Sequence, residues 1–138
     1  MSLPSDPRFA DGIRLFVAEE WFEAHEVLEA VWRETPRGPD RELLQGLIQL
    51  AVASEHWRRG NPRGSRGQWD KARGHLAGLP GVVYGLALGE LLASFEHAWE
   101  RVGLHAAVDA QAQGGFVPGV MVGWPAPRWV AGQGPPSR

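Results

Sequence analysis

The 138-residue chain contains no cysteine. That removes disulfides, thiolate nucleophiles and cysteine-ligated zinc together, and leaves His, Asp, Glu and backbone groups as ligands. Net charge is also nearly absent, at −2 with the histidines neutral. No global field therefore draws the chain to nucleic acid or to an anionic membrane, and nucleic acid is not an expected partner. Long hydrophobic runs are missing. The most apolar segment, Leu43 to Ala53, is interrupted by Gln45 and Gln49 and is too short to cross a bilayer. The first residues lack a basic stretch followed by an apolar one, so a cytoplasmic location without membrane attachment is expected. Lysine occurs once, as Lys71, the other basic residues being arginine.

What is present is ordinary globular material: 43% hydrophobic and 22% charged residues, with 7 Trp, 18 Gly and 11 Pro. This composition excludes a disordered or fibrous chain, and the length suits one packed core. Asp6-Pro7 reads as an N-cap followed by proline at the first helical position, and Phe9, Ile13, Phe16 and Val17 recur at helical spacing. Helices are predicted over about Pro7 to Ala18 and Glu20 to Glu34, the second stopped by Pro36 and Gly38-Pro39. The pair is expected to be antiparallel. A third helix, with Asp40 as its cap, runs to about Arg59, and Asn61-Pro62 opens a fourth. Gly64, Gly67, Gly74 and Gly78 weaken that fourth helix by about 1 kcal/mol each against alanine. A fifth is predicted from about Gly85 to Val102.

The expected fold is therefore all-α: a compact bundle of about five helices over residues 1–102, followed by a Gly/Pro/Trp-rich irregular tail over 103–138. Gly and Pro make up twelve of those last 36 residues, against regular helix and compatible with a short strand at Val117 to Val122. Trp124 and Trp129 are expected to anchor the tail to the helices or to a neighbouring subunit of a homo-oligomer.

At 100° per residue, Trp21, Phe22, His25, Leu28, Glu29 and Trp32 share one stripe about 120° wide, with His25 and Glu29 near its centre. Their i, i+4 spacing lets the two pair directly. The third helix is apolar over most of its girth, and its polar strip carries Glu42, Gln45, Gln49 and His56. If that strip faces the pair, His25, Glu29, Gln49 and His56 converge in a cavity rimmed by Trp21, Trp32 and Trp57. His25, Glu29 and His56 would then make a first shell for a divalent metal, with Glu26 as base. The commoner arrangement, a His and a Glu satisfying one another inside a helical core, explains the same residues. The run His25-Glu26-Val27-Leu28-Glu29 lacks the second histidine of the zincin motif, and that match is chance.

A basic stretch, Arg58, Arg59, Arg63, Arg66, Lys71 and Arg73, is interspersed with Trp57 and Trp69, the residue types of phosphate and base-stacking surfaces. A solvated face explains it as well. Gly60-Asn61-Pro62 at a helix start would cradle an anion or serve as a plain turn. His75, His97 and His105 read as structural or exposed.

Trp21-Phe22-Glu23-Ala24-His25-Glu26-Val27-Leu28-Glu29, then Trp32, Leu44-Gln45-Gly46-Leu47-Ile48-Gln49-Leu50-Ala51, His56 and Gly60-Asn61-x-x-Gly64 resemble the prokaryotic "domain of unknown function" family 309 over about Phe16 to Leu79. The resemblance implies a compact all-α domain whose signature includes His25, Glu29, Trp32, Gln49, His56 and Asn61. It implies no activity. Ser65 stands where that family usually has alanine, and the tail has no counterpart in it.

Two functions stay open. In the first, a ligand-binding or hydrolytic pocket uses His25 as acid, base or ligand, oriented by Glu29, with Trp21, Trp32, Gln49, His56 and Asn61 contacting a small-molecule substrate. In the second, the chain is a helical interaction or oligomerisation module and the His/Glu pair is structural. Phe16 to Leu28 resembles one tetratricopeptide helix-turn-helix unit, with a fainter copy at Trp57 to Leu76.

Overall fold

The structure is a computed structural model that describes residues 2–119 and 121–131. A 3-10 turn at Leu3–Ser5 leads into α1 (Pro7–Val17), α2 (Trp21–Glu34), α3 (Pro39–Arg58) and α4 (Pro62–Leu76). A hairpin of β1 (Val82–Val83) and β2 (Leu86–Ala87) follows, then α5 (Leu88–Arg101) and α6 (Leu104–Ala112). The fold is all-helical apart from this two-stranded sheet. Two caps read from the sequence are in place: Asp6 Oδ1 accepts from Arg8 N at 3.0 Å and Asn61 Oδ1 from Gly64 N at 3.1 Å. The third cap is not. α3 begins at Pro39 behind Gly38, and Asp40 in its first turn accepts the Tyr84 hydroxyl at 2.5 Å instead.

α3 is the central helix. Eleven of its residues are buried, Leu43, Leu44, Leu47 and Leu50 completely, because α2, itself packed on α1, covers one side and α4 the other. Gly46 permits the second contact: a Cβ there would stand 2.3 Å from Leu76 Cγ, so only glycine lets α4 approach this closely. Ser65, also buried, locks the same pair of helices by donating to the Ala53 carbonyl at 2.8 Å. At the other end of the core, Trp57, Trp69, Phe95, Trp99 and Trp124 pack ring against ring, Trp99 and Trp124 edge-on at 4.9 Å.

Three expectations about the second half are corrected. The fifth helix begins at Leu88, not Gly85, because Tyr84 and Gly85 (φ 51° and 85°) form a two-residue hairpin turn with both φ values positive. Regular helix does not end at Val102: α6 follows, since Leu104 to Ala112 holds four alanines and neither Gly nor Pro. Averaging over the whole tail hid that short run. The strand expected at Val117 to Val122 is not found among the described residues of that stretch, and Val120 lies outside them.

The tail instead adds an edge to the hairpin. Leu86 bridges Trp129, Ala87 N donates to Arg128 O at 2.9 Å, and Val130 N donates to Gly85 O at 2.7 Å. Trp124 is buried and donates its indole N–H to Ser54 Oγ at 2.8 Å, while Trp129 meets Phe9 edge-on at 6.3 Å. Both tryptophans thus pack on helices of their own chain. Among the described residues no helix is long and apolar enough to cross a membrane.

Candidate functional site

The buried face of α2 is Trp21, Ala24, Leu28 and Val31. The buried face is centred to one side of the expected stripe: Ala24 and Val31 share it with Trp21 and Leu28, whereas Phe22 is exposed. His25 and Glu29 consequently lie on its flank, with side chains 26% and 31% exposed, and not in the core. His25 Nε2 and Glu29 Oε2 are 2.9 Å apart, Arg33 Nη2 donates to Glu29 Oε1 at 2.5 Å, and the Phe22 ring stands 5.9 Å from the imidazole.

A groove of about 230 Å³ runs between this flank and α3. Its walls are Trp21, Phe22 and His25 on one side and Val52, Glu55, His56 and Arg59 on the other. His25 and His56 therefore share it, whereas several residues expected beside them do not. Glu29 faces Arg33, Glu26 is exposed, and Gln49 is buried with its Oε1 unpartnered. Trp32 lies beneath the Arg41 guanidinium at 4.0 Å, in a separate depression with Arg37, Gln45 and His75. Trp57 points inward, 5.0 Å from Phe116 and 6.0 Å from Trp99. Of the three expected rim tryptophans only Trp21 lines the groove.

Glu55 was not among the expected site residues and Arg59 was expected only as part of the basic stretch, although Glu55-His56-Trp57-Arg58-Arg59 carries an i, i+3/i+4 acid–base signal. Glu55 accepts from Arg59 Nε at 3.0 Å and from Arg58 Nη2. Burial pushes the Glu55 carboxyl up, but the bonds from Arg59 and Arg58 outweigh it and hold the group below its ordinary value. Arg58 also sits 4.5 Å from the Trp21 ring and donates to Glu19 O at 3.0 Å. It thereby ties the end of α3 to the α1–α2 turn, where Glu19 is left-handed at φ 59°.

His56 is held from the opposite side. Asn61 Nδ2 lies 3.2 Å from His56 Nδ1, and Asn61 Oδ1 accepts from Gly64 N and, at 2.9 Å, from Gln111 Nε2 of α6. A Cβ on Gly64 would fall 2.5 Å from Asn61 Nδ2 and 2.8 Å from His56 Cγ. The Gly60-Asn61-x-x-Gly64 run is thus the bracket of the His56 ring. It is not an open anion cradle: Arg63 N donates to Gln111 Oε1 at 2.8 Å and Gly64 N to Asn61.

The geometry bears on two alternatives that the sequence leaves open. His25, Glu29 and His56 do not assemble as a three-ligand set. Among the described residues no group of three or more His, Asp or Glu side chains is placed to hold a metal ion: Glu29 is shared between His25 and Arg33, and His56 Nδ1 is turned to Asn61. The basic stretch lacks a stacking surface, since Trp57 and Trp69 are buried in the core and Arg58, Arg59 and Arg73 are paired with Glu55 or Asp70. His75, expected to be structural or exposed, lies 2.5 Å from Glu42 Oε2 of α3, a residue 33 positions away.

The fold and the groove define a small helical domain with two histidines facing one another across α2 and α3. Residues 9–68 match the family model described as "Domain of unknown function (DUF309)", so the resemblance carried by Trp21 to Gly64 is shown over that segment. The chain is 32% identical over 92 residues to "Uncharacterized protein YpuF" of Bacillus subtilis (strain 168), covering 65% of this chain and 53% of that protein. It is 31% identical over 77 residues to an "Uncharacterized protein" of Aquifex aeolicus (strain VF5), covering 56% of this chain and 23% of the other. The matched stretch is about half the length of the first relative and about a quarter of the second.

Proposed function

We propose that the groove between α2 and α3 binds a small, partly apolar ligand, with His25 and His56 as its polar contacts. The observation that carries this reading is the state of the two rings. Each has one nitrogen engaged, His25 Nε2 by Glu29 and His56 Nδ1 by Asn61, and among the described residues neither has a partner on the other nitrogen. Apolar walls with a few placed polar groups are the usual chemistry of ligand sites. At about 230 Å³ the groove falls below the ~300 Å³ of drug-sized pockets, so a single ring or a short chain fits it.

The His25–Glu29 pair has the form of a base and its orienting carboxylate: Nε2–H donates to Glu29, and Nδ1 is left as the basic atom. No Ser, Thr or Cys lines the groove, so hydrolysis there would proceed through a water activated by His25. The interaction-module reading is favoured by one observation, the 48% exposure of Phe22 at the groove edge; on that reading a side chain of a partner protein fills the groove.

Benzamide, benzoate and indole, titrated into isotope-labelled protein, test the proposal. Binding is expected to shift the ring signals of His25 and His56 and to be lost in His25→Ala. Ring signals unmoved by all three probes at millimolar concentration would remove the small-ligand reading in favour of a partner surface.

A further inference from the structure

We infer that Asn61 and Gln111 are positioning residues that fix the His56 ring as its Nε2–H tautomer. Two backbone N–H groups, those of Arg63 and Gly64, fix the orientation of both amides. Arg63 N can only donate, and it lies 2.8 Å from one end of the Gln111 amide; that end is therefore the oxygen and the other end the NH2. The NH2 of Gln111 donates to Asn61 at 2.9 Å, and Gly64 N donates to the same Asn61 atom at 3.1 Å. Two donors converge on that atom, so it is the Asn61 oxygen, and the Asn61 NH2 is the group facing His56 Nδ1 at 3.2 Å.

An NH2 offers only hydrogens, so Nδ1 accepts and the proton of the neutral ring sits on Nε2. The bracket is rigid on its outer side. The Gly64 backbone comes so close that even a methyl there would stand 2.8 Å from His56 Cγ, and Asn61 N also donates to the His56 carbonyl at 2.8 Å. Gln111 belongs to α6, outside the 9–68 match to the family model. This half of the device is thus supplied by a helix that the matched segment does not contain.

One consequence rests on the binding role proposed above: His56 meets the ligand as a donor, so the ligand is recognised there through an acceptor, a carbonyl or carboxylate oxygen. His25, whose Nε2–H donates to Glu29, presents the complementary acceptor at Nδ1.

The tautomer is read from the two- and three-bond ring 15N–1H correlations of the full-length, ligand-free protein at alkaline pH. The wild type is expected to show His56 as Nε2–H. Asn61→Asp keeps the acceptors for Gly64 N and Gln111 but replaces the NH2 by a carboxylate oxygen, so the proton moves to Nδ1. Gln111→Ala frees the Asn61 amide, and the His56 signals move to values between the two tautomers. The His25 ring signals stay unchanged in both variants, which separates a local effect from loss of fold. A wild-type ring that is Nδ1–H, or a ring that stays Nε2–H in Asn61→Asp, overturns the inference. Because no ligand is present, either result is independent of whether the groove binds anything.

Discussion

His25 Nε2 stands 2.9 Å from Glu29 Oε2 one turn along α2, and the second Glu29 oxygen is bonded to Arg33 a further turn on. The three side chains form a ladder on a helix flank that water reaches. Pairs of this kind contribute tenths of a kcal/mol, because solvent screens them and ordering long side chains costs entropy.

Glu29→Gln is accordingly expected to lower stability by only about 0.3–1 kcal/mol in urea denaturation. The amide oxygen still accepts from His25, and only the Arg33 ion pair is lost. A loss above about 3 kcal/mol, the size seen when one partner of a buried pair is removed, would show that the pair is desolvated and contradict the geometry.

Gly64→Ala and Gly67→Ala should move stability in opposite directions. Both lie in α4, Gly64 in its first turn and Gly67 a turn further in, where alanine is favoured over glycine by up to about 1 kcal/mol. A Cβ at Gly67 meets nothing within 4 Å, whereas at Gly64 it collides with His56 and Asn61. Gly67→Ala should therefore stabilise, and Gly64→Ala should destabilise by about 1–3 kcal/mol, the usual cost of overpacking. Equal shifts in the two urea midpoints would mean that the bracket around His56 is soft.

The tail is expected to be an integral part of the core. Ser54→Ala removes the acceptor of the buried Trp124 indole N–H, at a cost of about 1–3 kcal/mol for the orphaned donor. In Trp124→Phe that donor is gone, so adding Ser54→Ala to it should cost less. A double-mutant cycle in urea measures the difference, and strict additivity would break the proposed link between the tail and α3.

Acid sensitivity should be traceable to Glu55. Its folded-state pKa lies below the ordinary 4.5, so its ionised form binds Arg59 and Arg58 better than water does. The stability this confers is complete above 4.5 and disappears as pH falls through the folded value. Asp6, Glu34 and Glu90 are lowered by their arginine partners and act with the same sign. Thermal melts between about pH 6 and pH 3 should fall less steeply in Glu55→Gln than in the wild type. An identical acid limb would show that Glu55 is as weakly held as an exposed carboxylate.

The helices were legible because their signals are local. Asp6-Pro7 and Asn61-Pro62 mark helix starts by supplying an acceptor and a preset φ within one turn, and the mostly apolar girth of α3 identified the central helix. The errors arose where a local rule was averaged or displaced. Leu104 to Ala112 is a helical run hidden in a Gly/Pro-rich tail, and Tyr84-Gly85 is a hairpin turn read as the start of a helix.

The sequence by itself determined the all-helical class, the family likeness and the identity of the two histidines, since those depend on spacing within single helices. Only the tertiary structure decided which groups meet. It turned Glu29 towards solvent because Ala24, not His25, occupies the buried axis of α2. It paired His75 with Glu42, brought Glu55 and Arg59 into the groove, and carried Gln111 across from α6 to hold Asn61 against His56. The first kind of information is set by backbone periodicity, which any short window reveals. The second is set by close approach between residues far apart in the chain, 50 positions for Asn61 and Gln111 and 70 for Ser54 and Trp124, which depends on how the whole core packs.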